Sequence, residues 1–173
     1  MRAYQNHRPN LSDGVYIDPD ATVIGQVHLG EDVSIWPRAV LRGDVNTIHV
    51  GARSNIQDGC ICHVTHDGPY TPGGYPLVIG EDVTVGHGAI LHGAIIEART
   101  LIGMGAIVLD GAVVQSEVMV GAGALVSPGK KLESGYLYVG KPAVKARRLT
   151  DREIESLSYS AAHYVKVKNH FMT

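Results

Sequence analysis

Aliphatic residues recur along this chain every six positions, and polar or small residues occupy most of the places between them. A second apolar or small residue commonly follows four places later, and glycine often comes directly after the aliphatic one. A period of six matches neither the period of a helix nor that of a single strand. The positions that carry the repeat are Val23, Leu29, Ile35, Leu41, Val50, Ile56, Cys62, Ile79, Val85, Leu91, Ile96, Ile102, Val108, Val114, Val120, Val126 and Leu132.

This repeat predicts short strands joined by tight turns, with three strands to a coil and the coils stacked into a triangular prism. Each aliphatic residue would point into the prism, and neighbouring coils would lie about 4.8 Å apart. The pattern resembles that of the left-handed parallel β-helix family. An ordinary β-sandwich would instead need turn signals at a spacing of roughly 8–12 residues. We therefore predict an all-β protein with a C-terminal α-helix, in which a single-stranded left-handed β-helix spans residues 17–140.

Two insertions interrupt the repeat, and its phase slips by one residue between Leu91 and Ile96. Three residues are added between Leu41 and Val50, and a longer segment rich in glycine and proline follows Cys62. The longer one predicts a protruding loop at about residues 64–77. Loops set on a rigid scaffold often carry function.

The two ends of the chain depart from the repeat. Residues 1–16 are expected to form an extended arm that caps the prism, and residues 141–173 a linker and a helix. Thr150 and Glu153 have the spacing of a capping box, which marks the start of that helix. The helix would run to about Asn169. Its apolar face would consist of Ile154, Leu157, Ala161 and Tyr164 or Val165.

Composition narrows the classes of partner. The 173 residues suit one domain, and a net charge of -2 without a basic stripe argues against a nucleic-acid partner. No apolar run approaches the roughly 20 residues that span a bilayer, so we expect a soluble, cytoplasmic protein without a membrane partner. Cys60 and Cys62 are too close in sequence for an unstrained disulfide. We interpret them as buried, reduced thiols, with a metal or redox role as the alternative.

Two histidines are placed together by the phase of the repeat. Cys62 and Leu91 occupy equivalent positions in successive coils. His63 and His92 each follow by one residue, so both are expected to point outward from the same face, one coil apart.

A third histidine falls at another edge of the prism. His87 follows Val85 by two residues, which places it on the preceding face. One chain cannot readily bring all three imidazoles to one ion, whereas His63 and His92 of one chain can meet His87 of the next. Three chains around a threefold axis would form three such sites, so we predict a homotrimer with metal sites at its subunit interfaces.

Three neutral imidazoles and one open position are a ligand set of catalytic zinc. Such a centre lowers the pKa of bound water to about 7 and so produces a nucleophile at neutral pH. A small electrophile such as CO2 would suit it. The alternative is that all three are ordinary surface residues, as we expect for His7, His28, His49, His163 and His170.

An ordered set of motifs supports the metal site. The chain reads L-R-G-D at 41–44, R-S-N-I-Q-D-G at 53–59, His63 six residues after Gln57, and G-H-G-A-I-L-H-G at 86–93. In this order and spacing it resembles the γ-class carbonic anhydrases, and the resemblance extends over nearly the whole chain.

The resemblance implies a homotrimer with a divalent metal, Zn²⁺ or alternatively Fe²⁺ or Co²⁺, at each subunit interface. The ligands would be His63, His87 and His92. Arg42 and Asp44 would form an ion pair between subunits, with Arg42 near bound bicarbonate; a purely structural pair is the alternative.

Four further residues take roles from the same resemblance. Gln57 would orient a metal-bound hydroxide through its amide. Asp58 would support the interface, and Asn55 would be a polar neighbour. Tyr159 resembles a tyrosine at the edge of the site, although packing in the core is an equally good interpretation.

The chain departs from the archetypal family pattern at two acids. Valine stands at position 45, directly after Asp44, and His66 stands three residues after His63, where the archetype has glutamates. Val45 cannot carry a proton, whereas His66 can, because the ordinary pKa of histidine is about 6.5. The alternative for His66 is an exposed loop residue.

Three hypotheses about function remain open. The first is a probable carbonic anhydrase, a lyase in which metal-bound hydroxide hydrates CO2 reversibly to bicarbonate, with low or absent turnover because both glutamates are missing. The second is a hexapeptide acyltransferase that uses an acyl-CoA and one histidine as base, since one fold hosts several chemistries. The third is a metal-binding trimer without catalysis.

Overall fold

The computed structural model describes residues 1–173 and consists of short strands followed by one helix. This confirms the predicted all-β fold with a C-terminal helix. The elements, numbered in chain order, are β1 Asn10–Leu11, β2 Tyr16–Ile17, β3 Thr22–Leu29, β4 Ser34–Ile35, β5 Val40–Val50, β6 Asn55–Ile56, β7 Ile61–His63, β8 Leu77–Ile79, β9 Thr84–Val85, β10 Ile90–His92, β11 Ile95–Ile96, β12 Leu101–Ile102, β13 Ile107–Val108, β14 Val113–Val114, β15 Met119–Val120, β16 Leu125–Val126, β17 Lys131–Leu132, β18 Tyr136–Val139, β19 Val144–Arg148 and α1 Asp151–Phe171.

The strands form the three faces of a left-handed parallel β-helix. The first face runs β5-β7-β10-β13-β16 and the second β5-β8-β11-β14-β17, because the long strand β5 bends around the corner between them. The third face runs β2-β4-β6-β9-β12-β15-β18-β19. Every pairing between successive coils is parallel, and the single antiparallel pair, β18 with β19, closes the end of the third face.

The repeat residues form the core. All of the aliphatic positions predicted to point inward are buried, and so are the small residues four places later, such as Ala89 and Ala106. One cluster of 34 buried residues therefore runs along the prism axis. Burial of a leucine-sized side chain contributes about 1.5–3 kcal/mol, so this column is the main source of stability.

The corners use two different solutions for left-handed backbone. At the corner between the third and first faces Arg38 takes the position between β4 and β5, and glycine takes it in later coils, including Gly88, Gly105 and Gly123. At the corner between the second and third faces Gly14 and Gly135 take it in the end coils, and charged residues of alternating sign take it between them. These are Asp32, Arg53, Asp82, Arg99 and Glu117, all with φ between 51° and 60°.

Ion pairs connect these charged corner residues from coil to coil. Arg53 donates to both carboxylate oxygens of Asp82 at 2.7 Å, and Arg99 donates to Glu117 at 2.9 Å. A left-handed backbone disfavours a residue with a side chain. The ion pairs between stacked coils help to offset that cost. Glycine is therefore not required at every left-handed corner position.

The loop after β7 and the two ends differ in detail from the expected segments. Bridges Thr65–Tyr75 and Gly68–Thr71 order the loop, which spans 64–76 because Leu77 already begins β8. The expected N-terminal arm contains β1 and β2, which pair with β3 and β4, so it extends the prism. The expected linker after residue 141 contains strand β19.

Helix α1 begins with the predicted capping box. Thr150 accepts a hydrogen bond from the Glu153 N–H, and the Glu153 carboxylate accepts one from the Thr150 N–H. Leu157 and Ala161 are buried against the prism. Near the other end, Trp36 packs between the rings of Tyr164 and Phe171. No helix in the structure is long and apolar enough to cross a membrane.

Lys168 fastens the last turns of α1 to the charged corner. Its side chain is only 1% exposed, and Nζ lies 2.8 Å from the Asp32 carboxylate and 2.7 Å from the side-chain oxygen of Asn169. Position 168 was not expected to be buried, because a lysine on the apolar side of a helix breaks the pattern.

We predict that Lys168→Ala destabilises the protein by about 1–3 kcal/mol. Breaking a buried pair costs roughly 3–5 kcal/mol, and Asp32 retains enough exposure to reduce that value. Urea unfolding measures the change. Lys168→Met, which keeps the aliphatic stem, is the control and should lose less; equal losses would show that the ion pair, and not packing of the stem, is what matters.

Both cysteines are buried and unpaired, as predicted. Burial raises the pKa of the Cys60 thiol to about 11 and that of Cys62 well above its ordinary value. Neither is a thiolate near neutral pH, which makes these side chains unreactive core residues.

Candidate metal centre

His63 and His92 face each other on the first face of the prism. They are paired in register on the adjacent strands β7 and β10, which confirms their predicted placement one coil apart. His63 Nδ1 lies 3.0 Å from His92 Nε2, and the ring centroids are 5.0 Å apart. Both side chains are partly buried.

A carboxylate holds the outer nitrogen of each of these two rings. Asp44 lies 2.9 Å from His63 Nε2, and Asp110 lies 2.5 Å from His92 Nδ1. Ionised carboxylates only accept hydrogen bonds, so this network assigns the proton of each neutral ring to its outer nitrogen. Two inward lone pairs therefore face each other at 3.0 Å. They repel unless a cation or a proton lies between them.

The surroundings of His63 favour its neutral form. Burial lowers the pKa of this imidazole, against the opposing effect of the hydrogen bond with Asp44. Burial raises the pKa of the Asp44 carboxyl, but hydrogen bonds from His63 and Arg42 outweigh it and bring the pKa below the ordinary value. A neutral imidazole beside an ionised carboxylate is the state in which histidine binds a metal.

His87 lies at the corner between the third and first faces, apart from the other two histidines. Its Nδ1 is 2.9 Å from the Asp58 carboxylate, and its side chain is 48% exposed. Asp58 thus contacts a ring nitrogen of His87, just as Asp44 and Asp110 contact ring nitrogens of His63 and His92. Within one chain, no three histidine, cysteine or acidic side chains are arranged to hold a metal ion.

Gln57 and Asn55 form a buried chain of amides behind His87. The Gln57 oxygen accepts from the His87 backbone N–H at 3.2 Å, and its amide nitrogen donates to Asn55 at 3.1 Å. Asn55 in turn donates to the Thr84 hydroxyl. Gln57 keeps one N–H and one lone pair free, and it lines a cleft together with His87.

Arg42 and Asp44 contact each other within one chain. The expected ion pair between subunits stays a prediction. Residues two apart on a strand project from the same side, and β5 holds both of them. The Arg42 side chain is 44% exposed, so part of its guanidinium remains available beside His63.

The donor set fits a borderline divalent ion such as Zn²⁺. Nitrogens in a tetrahedral zinc site lie roughly 3.3 Å apart, given zinc–nitrogen distances near 2.0–2.1 Å, and the observed pair is separated by 3.0 Å. Each histidine also has the carboxylate partner that orients metal-bound imidazoles. Two candidate ligands, His63 and His92, come from the ends of strands β7 and β10 on the first face. The third, His87, comes from the corner between the third and first faces.

His66 lies in the loop after β7 without a hydrogen bond to its ring. It is exposed, and no contact brings it to His63 or His92. The neighbouring Thr65 donates to the Asp110 carboxylate at 2.7 Å, so the start of the loop does touch the network around His92.

Tyr159 is not in the core, and its expected place at the edge of the site stays a prediction. It is 72% exposed and stacks on His163 along the outside of α1. Tyr164, five residues further and rotated by about 140° around the helix, faces the prism instead. It lines a cleft of about 430 Å³ together with Gln57, His87 and Ser160.

Sequence reasoning missed Asp110 and Tyr164. Asp110 was readable in principle, because Val108 pairs with Leu91, which carries Asp110 past the end of β10 towards His92. The position of Tyr164 depends on the rotation of α1 about its axis. Only the packing of α1 against the prism shows which of the two tyrosines faces the cleft.

Comparisons with known proteins agree with this architecture. Residues 8–43 match the family model described as bacterial transferase hexapeptide (six repeats). Protein YrdA of Escherichia coli (strain K12) is 54% identical over 172 residues, which cover 99% of this chain and 94% of that protein. A probable carbonic anhydrase of Methanocaldococcus jannaschii is 48% identical over 157 residues, or 91% of this chain and 94% of that one.

A solved structure shows the same fold over the full length. The hexapeptide transferase family protein from Anaplasma phagocytophilum superposes with a TM-score of 0.91 at 38% identity, covering 98% of this chain and 96% of that one.

Fold and site together define a hexapeptide-repeat β-helix protein with histidine–carboxylate pairs at two of its edges. Within that class, the chain belongs to the γ-class carbonic anhydrase-like family.

Proposed function

We propose that this chain forms a homotrimer that holds a divalent metal ion at each subunit interface and catalyses the reversible hydration of CO2 to bicarbonate. The observation that carries the proposal is the pair of lone-pair nitrogens on His63 and His92, 3.0 Å apart and each backed by a carboxylate. His87 of the partner subunit would complete the ligand set. Zn²⁺ is the expected ion, with Fe²⁺ and Co²⁺ as alternatives.

The surface between the two histidine-bearing edges supports assembly. Ile61 points outward on the same strand as His63 and is 44% exposed. Met104, stacked one coil beyond His87, is 62% exposed. Apolar side chains at these positions would be buried if the edge with His87 of one subunit met the edge with His63 of another. A closed threefold arrangement would leave no such edge free.

The side chains of this chain then have distinct tasks. A divalent ion held by the histidines would supply Lewis acidity that brings the pKa of water to about 7. Gln57 would use its free N–H and lone pair to orient the nucleophile. Arg42, whose guanidinium is partly exposed beside Asp44, would hold the bicarbonate anion through charge-assisted hydrogen bonds.

A metal-binding trimer without catalysis is the second candidate. The exposed apolar side chain of Val45 favours it, because valine cannot accept the proton released in each hydration. For acyl transfer no observation of this kind is present, and thiol release from acetyl-CoA in the presence of a chelator would be its signature.

Stopped-flow hydration of CO2 tests the proposal. Protein loaded with Zn²⁺ or with Fe²⁺ is compared with metal-free protein at equal concentration. Activity in the loaded forms alone supports carbonic anhydrase chemistry. One bound metal per chain without any increase over the uncatalysed rate would leave the non-catalytic trimer as the function.

We predict that Asp110→Asn weakens metal binding by about 10- to 100-fold, the usual effect of losing a carboxylate behind a histidine ligand. The asparagine oxygen still accepts a hydrogen bond from His92. It lacks the negative charge that makes the imidazole a stronger electron-pair donor to a metal ion. Titration with Zn²⁺ against a competing chelator measures the affinity. Asp13→Asn, on an exposed turn, is the control, and Thr65→Val separates the contribution of the loop contact. An unchanged affinity would show that the charge of Asp110 does not support metal binding by His92.

A further inference from the structure

The segment between the last coil and the helix is basic in a chain that is acidic overall. The net charge of the chain is -2. Residues 141–156 nevertheless contain five basic residues, Lys141, Lys145, Arg147, Arg148 and Arg152, against three acidic ones, Asp151, Glu153 and Glu155. Such local asymmetry of charge is typical of a surface that meets an anionic ligand.

Three of these arginines border one concavity at the end of the prism. It has a volume of about 520 Å³ and no hydrophobic residue in its lining, and it shares no residue with the metal centre. We call it the arginine hollow. Its lining residues are Arg147, Arg148, Thr150, Arg152, Glu153 and Ser156.

The one carboxylate in the arginine hollow is already engaged. Arg147 donates to both oxygens of Glu153, at 2.8 and 2.7 Å. The Thr150 N–H donates to the same carboxylate at 2.9 Å. Glu153 therefore neutralises Arg147 and does not neutralise the other two arginines.

Arg148 and Arg152 have no acidic partner. Ten ion pairs are present in the structure, and neither of these guanidinium groups takes part in one. Arg148 lies over the ring of Tyr136, with 5.0 Å from the guanidinium carbon to the ring centroid, which restrains its side chain. Arg152 projects from the first turn of α1.

Protection of a sheet edge explains only part of this charge. Strand β19 is the last strand of the third face, and all five of its residues are exposed. Charged residues on such an edge deter pairing with other chains. Arg152 lies outside the strand, on the helix, so edge protection does not account for its position at the same concavity as Arg148.

We propose that the arginine hollow binds a phosphate-bearing anion, with Arg148 and Arg152 as its two free guanidinium forks. Arginine matches phosphate in a planar, bidentate geometry and keeps its charge at any physiological pH. The absence of apolar lining favours the charged group itself over an attached apolar body. The phosphate could belong to a soluble molecule or to a lipid headgroup, and both sources offer the same chemistry.

Titration calorimetry of the full chain with inorganic pyrophosphate at low salt tests the proposal. We expect saturable binding that the double variant Arg148→Gln/Arg152→Gln weakens by at least about tenfold, because two charge-assisted contacts are lost. The matched control is Arg8→Gln/Lys166→Gln, which removes two exposed positive charges elsewhere. Equal weakening in the control, or no saturable binding to the unmodified chain, would overturn the proposal.

Two further measurements keep the test decisive. Arg152→Gln alone, at an exposed helix position, should weaken binding even if loss of the Arg148–Tyr136 contact impairs folding of the double variant. Sedimentation with phosphatidylglycerol vesicles, against phosphatidylcholine vesicles as control, identifies the lipid source. Vesicle binding that Arg152→Gln abolishes supports a headgroup phosphate, whereas pyrophosphate binding without vesicle binding supports a soluble ligand. Full pyrophosphate affinity in Arg152→Gln would count against the arginine hollow.

Discussion

Replacing His87 by alanine is expected to abolish metal binding at every interface of the proposed trimer, although His63 and His92 remain intact. The structure separates His87 from the facing pair, and one chain holds no group of three potential ligands. A site left with two imidazoles loses a direct ligand, so its affinity should fall by more than the roughly 100-fold that loss of a supporting carboxylate can cost. Elemental analysis of the purified protein gives the metal content per chain, and light scattering measures the mass of the assembly.

A mixing experiment separates a shared site from a site within one chain. The His87→Ala chain keeps His63 and His92, and a His63→Ala chain keeps His87. Unfolding the two inactive variants together at equal concentration and refolding them should restore about a quarter of the metal sites, since every mixed trimer has one interface with both halves intact. Refolded separately, neither variant should bind metal. Retention of about one metal per chain by His87→Ala, or no recovery on mixing, would refute the ligand assignment.

The fold was predictable because the repeat encodes inside and outside directly. Each aliphatic residue of the six-residue period is buried, and the equivalence of Cys62 and Leu91 correctly placed His63 beside His92. Parallel stacking of identical coils converts a sequence offset into a position in space, with no side-chain information needed. That property is special to repeat architectures.

Side-chain partners between coils were not predictable in the same way. The pairing of Arg53 with Asp82 spans 29 residues, and the inserted loop lies between the two. The burial of Lys168 depends on where α1 meets the charged corner, which no periodicity of the helix reports. The same dependence on the packing of α1 explains why the sequence indicates Tyr159, and not Tyr164, as the tyrosine near the site. The repeat therefore predicts the scaffold. The contacts made by the loop, the helix and the charged corner depend on tertiary packing, which the six-residue period does not encode.

Proton transfer is expected to limit turnover, so that kcat rises with the concentration of an external buffer such as imidazole. Val45, directly after Asp44, is 44% exposed and carries no proton, and His66 is an exposed loop residue. A positioned acid or base contributes roughly 10²- to 10⁴-fold to a reaction that depends on proton transfer. Val45→Glu, which places a carboxylate one residue from Asp44, should raise kcat at low buffer concentration by about tenfold or more and reduce the response to added imidazole.

The matched control for that gain is Val45→Gln. A glutamine side chain is nearly as large and polar as that of glutamate, but it cannot carry a proton. If the glutamine variant gains as much as the glutamate variant, then polarity at position 45 matters and proton transfer does not. His66→Ala measures what the loop histidine contributes: a lower kcat with kcat/KM unchanged would assign it to proton removal, because that step follows the release of bicarbonate. If buffer concentration has no effect on unmodified protein that hydrates CO2, another step limits the rate, and the valine at position 45 is then no obstacle to catalysis.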